Sequence, residues 1–189
     1  PLATVVSYVT KTYAAIHYLH TSGAEKQVHC DVKPENILVG SNDEILLSDF
    51  GIMAISQSDS SLVPSKRDAM GTPPYMAPEQ FQGKPRRASD QYALGVMTYE
   101  WLSGVRPFNG NFFQLALLHE SKYTIPPPLH EKLPTISLEV ELVIMKTLAK
   151  DPESRFATIE EFARTLEKAY KDTLEYTTKQ GDFYYKVRA

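Results

Sequence analysis

A mainly α fold with a small β-hairpin region is predicted by three features of the sequence. Apolar residues recur at three- and four-residue steps in several stretches, the spacing of one helix face. Near the front, Ile37-Leu38-Val39 and Glu44-Ile45-Leu46-Leu47-Ser48 flank Gly40-Ser41-Asn42-Asp43 and read as two strands joined by a turn. Tyr92, Leu94, Gly95, Val96, Tyr99 and Leu102 make a segment that is apolar nearly all round, as a helix at the centre of a domain would be. With 189 residues, 42% of them hydrophobic, the chain can bury a sizeable core and most simply forms one domain.

The first element is an amphipathic helix whose face is Val5, Val9, Thr12, Tyr13, Ile16 and Leu19, with Gly23 as its stop. The strand pair follows. Between Gly51 and Gly71 lies a polar stretch with Ser56, Ser58, Ser60, Ser61 and Ser65, too poor in apolar residues for a core element, which predicts a mobile loop. Ser89-Asp90 then supplies a cap for the central helix. Phe112 to His119, Leu138 to Leu148 and Ile159 to Tyr170 supply three more helices, separated by Pro126-Pro127-Pro128, Pro134 and Pro152. The triple proline predicts a bend between helices rather than a polyproline ligand. Lys171 to Ala189, with Gly181 as a breaker, predicts a loosely ordered C-terminal extension or linker.

Composition excludes several classes. A net charge of -3 gives no reason to expect nucleic acid as a partner. The lone cysteine, Cys30, excludes an internal disulfide and a multi-cysteine metal site and points to a reducing, cytoplasmic setting. No apolar run reaches the roughly 18 residues needed to span a bilayer. A start at Pro1 rather than Met, with a helix pattern almost at once, predicts a piece of a longer chain.

Chemistry concentrates in two motifs. Residues 29 to 36 read H-C-D-V-K-P-E-N, and D-F-G stands at Asp49, Phe50 and Gly51, thirteen residues after Asn36. A proton acceptor (Asp31), a phosphate-directed cation (Lys33) and two oxygen ligands for magnesium (Asn36, Asp49) are the parts that transfer of a γ-phosphate needs. Magnesium takes few protein oxygens and completes its shell with phosphate and water, so the sparse set suits ATP and Mg rather than a protein cage. Any one of these residues alone would read as a surface turn. The full arrangement around a strand pair is specific.

With the second motif, Gly71-Thr72-Pro73-Pro74-Tyr75-Met76-Ala77-Pro78-Glu79, the chain from Leu2 to Tyr170 resembles the C-terminal (large) lobe of a eukaryotic-type Ser/Thr protein kinase of the bacterial sort. The resemblance implies residues 1–170 as the C-lobe of a catalytic domain and 171–189 as an extension. It implies that Thr72 hydrogen-bonds Asp31 and Lys33, that proteins with Ser or Thr are the acceptors, and that Leu38 is the apolar floor under adenine. It also implies that Glu79 pairs with Arg155 inside the lobe, that Asp90 holds the backbone of the 29–36 loop, and that His29 and Phe50 stack in an internal apolar column, so His29 is not a general base. The family most often has arginine where Cys30 stands. A thiol cannot pair with a phosphate dianion, so this loop is not expected to be switched through that contact; Lys66 and Arg67 are the cations left to meet a phosphoserine.

The family's glycine-rich loop and nucleotide lysine are absent from these residues, so the N-lobe is a missing partner, and the chain by itself is expected to bind ATP poorly and to transfer phosphate negligibly. A truncated or pseudokinase-like interaction module is the alternative reading, supported by that absence and by Cys30. Small-molecule phosphotransfer is a third, opposed by the peptide ledge at 71–79.

Overall fold

The computed structural model describes residues 1–22, 27–49, 54–55 and 71–187, with side chains for 1–22, 27–49 and 71–176. The expectations for Gly23, Phe50, Gly51, the five loop serines, Lys66 and Arg67 lie outside the described residues.

Helix α1 (Leu2–Thr21) buries Val5, Val9, Thr12, Ile16 and Leu19, the face its spacing predicts, together with Val6 and His20. It closes with the Ser22 N–H on the Tyr18 carbonyl at 2.8 Å. Strands β2 (Ile37–Val39) and β3 (Ile45–Leu47) pair antiparallel in the register Ile37↔Leu47, Leu38↔Leu46, Val39↔Ile45. A second antiparallel pair joins β1 (Gln27–Val28) to β4 (Ala54–Ile55). Two residues per strand are too few to leave a periodicity, so this pair has no signature in the sequence.

Helices make up the rest, and the chain is mainly helical, as predicted. Single-turn α2 (Pro78–Phe81) leads into α3 (Arg87–Ser103), whose Tyr92, Leu94, Val96, Met97 and Tyr99 form the centre of the core. α3 begins two residues before the expected cap. Its N-cap is Arg86, and Ser89 sits one turn in, where its hydroxyl accepts the Arg86 N–H at 3.0 Å. The Asp90 carboxylate is engaged elsewhere and cannot cap. At the other end Gly104 takes the left-handed conformation (φ 76°) that ends a helix without a Cβ penalty.

α4 (Phe112–Glu120) starts at Asn111, which exchanges reciprocal bonds with Gln114, and α5 (Leu138–Thr147) at Ser137, which accepts from Val140 N at 3.3 Å. The triple proline forms the bend between them: Pro126 is buried, and the Tyr99 hydroxyl donates to the Pro127 carbonyl at 3.0 Å.

α6 (Ile159–Val187) corrects the expectation for the C-terminal stretch, since it runs on without a break past Tyr170 and across Gly181. One internal glycine costs a helix only about 1 kcal/mol. Packing of α6 on α1 and α5, the Thr173–Ser137 hydroxyl bond at 2.7 Å and the Glu167–Lys171 pair at 2.8 Å carry it beyond the predicted end. Among the described residues, no helix is long and apolar enough to cross a membrane.

Candidate active site

The 29–36 loop leaves β1, and its shape is set by α3. The carboxylate of Asp90 accepts the His29 N–H (Oδ2, 2.9 Å) and the Cys30 N–H (Oδ1, 2.9 Å), while His20 of α1 meets Oδ2 at 2.7 Å. This brings Asp90 to the backbone the resemblance implied. The held residue is unusual: Cys30 has φ 68°, a left-handed conformation that a non-glycine residue adopts only at a cost. Its thiol is buried and donates weakly to the Val28 carbonyl at 3.6 Å, the packing of a small apolar side chain.

Asp31 follows, 4% exposed. The Thr72 hydroxyl donates to its Oδ1 at 2.6 Å, the Lys33 ammonium meets its Oδ2 at 2.7 Å, and Lys33 also donates to the Thr72 oxygen at 2.9 Å. The three side chains close a triangle. Burial alone would raise the Asp31 carboxyl, but the hydrogen bonds from Lys33 and Thr72 and the lysine charge outweigh it and hold the group below its ordinary value. Asp31 is therefore ionised and able to accept a proton.

Asn36 donates from Nδ2 to the Asp31 carbonyl (2.8 Å) and to its Oδ2 (3.3 Å), which leaves the amide oxygen as the atom that can face a metal. Ser48 donates to the Asn36 carbonyl from both its N–H (2.9 Å) and its hydroxyl (3.2 Å), extending the β2–β3 ladder. That places Asp49, exposed and at φ 62°, one residue past the partner of Asn36. Two hard oxygen donors thus share one end of the hairpin. Two oxygens are a sparse set, and their hardness fits a magnesium ion that completes its shell with phosphate oxygens and water.

His29 is fully buried, its Nδ1 accepting the Asp31 N–H at 3.3 Å and its Nε2 lying 3.2 Å from the Ser48 carbonyl. Both ring nitrogens face backbone, so the ring joins the two site-bearing loops. Leu38 on β2 is 50% exposed and available to an apolar ligand.

The 71–79 segment comes to Asp31 from the far side. Gly71 (φ 76°) passes so close to the Cys30 carbonyl that a Cβ there would collide with it. The following 3-10 turn, Pro73–Tyr75, buries Tyr75, whose hydroxyl donates to Glu100 at 2.6 Å and whose own ionisation burial pushes up. Arg155 meets Glu79 end-on, Nη1 donating to Oε1 and Nη2 to Oε2, both at 2.8 Å, the pairing the resemblance implied. Ser89 donates to the same carboxylate at 2.7 Å.

Sequence reading missed several members of this frame. His20, Ser89 and Gln80 carry no motif of their own; each is polar and buried, and His20 and Gln80 reach partners seventy and fifty residues away. Of the three, only His20, at the end of the apolar face of α1, could have been marked by its place in the helix pattern. An apolar recess of about 290 Å³ between α1 and the hairpin, lined by Ala15, Tyr18, Leu19, Ile45 and Leu47, contains none of the site residues.

A family model described as the protein kinase domain matches residues 2–169. Curated relatives include a probable serine/threonine-protein kinase of Clostridium perfringens, 35% identical over 175 residues (91% of this chain, 24% of the relative). Another from Corynebacterium efficiens is 36% identical over 155 residues (80% and 24%), and the serine/threonine-protein kinase PknB of Mycobacterium leprae is 34% identical over 168 residues (88% and 26%). The chain spans about a quarter of the length of these relatives. A match over nearly its whole length makes this chain a member of the protein kinase family.

Proposed function

We propose that residues 1–170 are the C-terminal lobe of a kinase catalytic domain, and that the protein carrying them transfers the γ-phosphate of ATP, with Mg, to Ser and Thr hydroxyls of proteins. The closed Asp31–Lys33–Thr72 triangle carries this reading, because its third corner comes from the segment suited to hold a peptide.

An acceptor hydroxyl displacing the Thr72 contact would give its proton to the Asp31 carboxylate as its oxygen bonds phosphorus and the bond to ADP breaks. Lys33 stands 2.7 Å from Asp31 and, freed from it, pairs with the phosphoryl oxygens in flight. Asn36 and Asp49 would hold the metal, which when bound neutralises phosphate charge. Leu38 would underlie adenine. Glu79, Arg155, Asp90 and His29 hold the frame.

Contacts to the α- and β-phosphates need a glycine-rich loop and a lysine that these 189 residues do not contain, and an N-lobe is the partner proposed to supply them. The lobe alone is proposed to be inactive, residues 171–189 to be an extension or linker beyond the domain, and the ATP-consuming reaction to be cytoplasmic.

Phosphate transfer to a generic Ser/Thr protein substrate by the full-length gene product, against an Asp31→Asn control, tests this. Removal of a general base should cost about a hundredfold or more in rate. Transfer unaffected by the substitution, or none above the control from folded protein, refutes it.

A further inference from the structure

Gln80 lies in the single turn of α2, directly after the Glu79 that anchors to Arg155. Its side chain is buried and both of its functional atoms are used: Oε1 accepts the Ala77 N–H at 2.9 Å, and Nε2 donates to the Cys30 carbonyl at 2.8 Å, fifty residues away. The carbonyl it holds belongs to the residue strained at φ 68°, immediately before Asp31. Asp90 grips the same residue by its N–H. The Cys30 unit is thus clamped at both ends by side chains from two different elements, which is the condition under which a sparsely populated backbone conformation persists.

A further contact joins this clamp to the peptide segment. A Cβ on Gly71 would collide with the Cys30 carbonyl and would stand 3.3 Å from Gln80 Nε2, so the amide, the carbonyl and the start of the 71–79 segment meet at one point. Thr72, the next residue, donates to Asp31 Oδ1. Gln80 therefore bonds the residue before Asp31 and lies beside Gly71, the residue before its hydroxyl partner, while its other amide atom holds Ala77 of the same 71–79 segment.

We infer that Gln80 is a positioning residue for phosphate transfer, its amide bridging the peptide segment to the loop that aims Asp31. The inference rests on the kinase reading above. Asparagine is one methylene shorter and cannot span from α2 to the carbonyl while keeping the Ala77 bond. Leucine fills similar space but offers no donor. Glutamate is isosteric and keeps the Ala77 acceptor, yet presents an oxygen to the Cys30 oxygen; it can donate there only while protonated.

The test uses full-length protein carrying Gln80→Leu, Gln80→Asn or Gln80→Glu, assayed from pH 5.5 to 8.5 with a Ser/Thr protein substrate. Gln80→Leu and Gln80→Asn are expected to lower kcat about tenfold or more while KM for ATP stays within twofold, because the nucleotide-facing residues are not touched. Gln80→Glu should approach the unaltered rate at the acid end and fall about tenfold relative to it as pH rises, a profile that simple loss of packing would not produce. Amide exchange supplies a readout that needs no activity: the 28–32 peptide should exchange about tenfold faster in Gln80→Leu while the α3 peptide 92–100 is unchanged. Variants that fold and keep both kcat and the 28–32 protection overturn the role of Gln80. No transfer by the unaltered protein refutes the kinase reading instead, and the exchange comparison then still decides whether the bridge holds the loop.

Discussion

Arg155→Met keeps most of the buried stem and removes the guanidinium, and the structure indicates how much that should cost. Arg155 is 0% exposed and Glu79 7%, so the carboxylate left behind is inside the protein, with the Ser89 hydroxyl still bonded to it. Stranding one member of a buried pair costs about 3–5 kcal/mol. Arg155 does more than pair: it also donates to the carbonyls of Ala149 (2.9 Å), Ala88 (2.7 Å) and Lys150 (3.3 Å) and lies 4.8 Å from the centre of the Tyr92 ring. These losses share one side chain and do not add independently, so about 4–5 kcal/mol is the expected total. That is a large part of the roughly 5–15 kcal/mol that holds a domain folded. Urea titrations of the unaltered protein, Arg155→Met, Glu79→Gln and the double variant form a cycle that isolates the pair. Neutral glutamine removes the stranded charge, so the double variant should be more stable than the sum of the singles by about 2–3 kcal/mol. A loss below about 1 kcal/mol for Arg155→Met, or additivity around the cycle, would refute burial of the charge as the source of the cost.

Gly95→Ala tests a close approach of α3 to α5: the added Cβ collides with the Thr147 hydroxyl and lies 2.9 Å from Thr147 Cβ, so thermal or urea unfolding should show a loss of about 1–3 kcal/mol, and no loss would mean that the two helices can part freely. Thr72→Val removes the hydroxyl that joins Asp31 to Lys33 and should lower kcat about tenfold or more, while Thr72→Ser keeps most of the rate; equal rates for the two variants would dismiss the triangle. His119, buried against the Phe81 and Phe108 rings with its Nδ1 on the Tyr92 hydroxyl at 2.8 Å, is pulled down to about 3 by burial and, secondarily, by the Lys150 charge. Its folded value lies below the unfolded one, so the stability it permits is complete above the unfolded value near 6.5 and is lost as pH falls toward 3, at about 1.4 kcal/mol per pH unit. His119→Gln should flatten the stability profile between pH 6.5 and 5 by about one proton, and an unchanged slope would show that the ring charges without penalty.

How far the sequence could be read depended on how local each cause was. α1 and the β2–β3 hairpin were legible because their face spacing and Gly40–Asp43 turn act within a few residues. Asp31, Lys33 and Asn36 were legible as a set because the motif keeps them within six residues, and the structure brings Thr72 to them. The start of α3 was misread because Asp90 has the chemistry of a cap, while its carboxylate is turned to His29 and Cys30, some sixty residues back. The run of α6 past Tyr170 was misread for the opposite reason, since the composition of a stretch is a local signal and docking of the helix on α1 and α5 is not. Gln80 and His20 were invisible because their partners are chosen by tertiary packing alone.

Among the described residues, three that are not glycine share the left-handed conformation, and their surroundings decide what it means. Asp43 (φ 57°) sits in the exposed turn between β2 and β3, where aspartate is among the residues that tolerate it, and its carbonyl accepts only from the Lys11 side chain among the bonds described. Cys30 (φ 68°) has the same conformation without a side chain suited to it, and its N–H and carbonyl are both taken by side chains from α3 and α2. Such strain costs on the order of 1–3 kcal/mol and would relax if the clamp were loose. What it achieves is a fixed direction for the next residue, Asp31, whose carboxylate must meet both Thr72 and Lys33. Asp49 (φ 62°) is the intermediate case: its carboxylate is exposed, and the ladder beside it is tied to Asn36 through Ser48. The backbone conformation alone therefore marks no site: the Asp43 turn is exposed and held by one lysine at its carbonyl, whereas Cys30 is buried and gripped at both its N–H and its carbonyl, by α3 and α2.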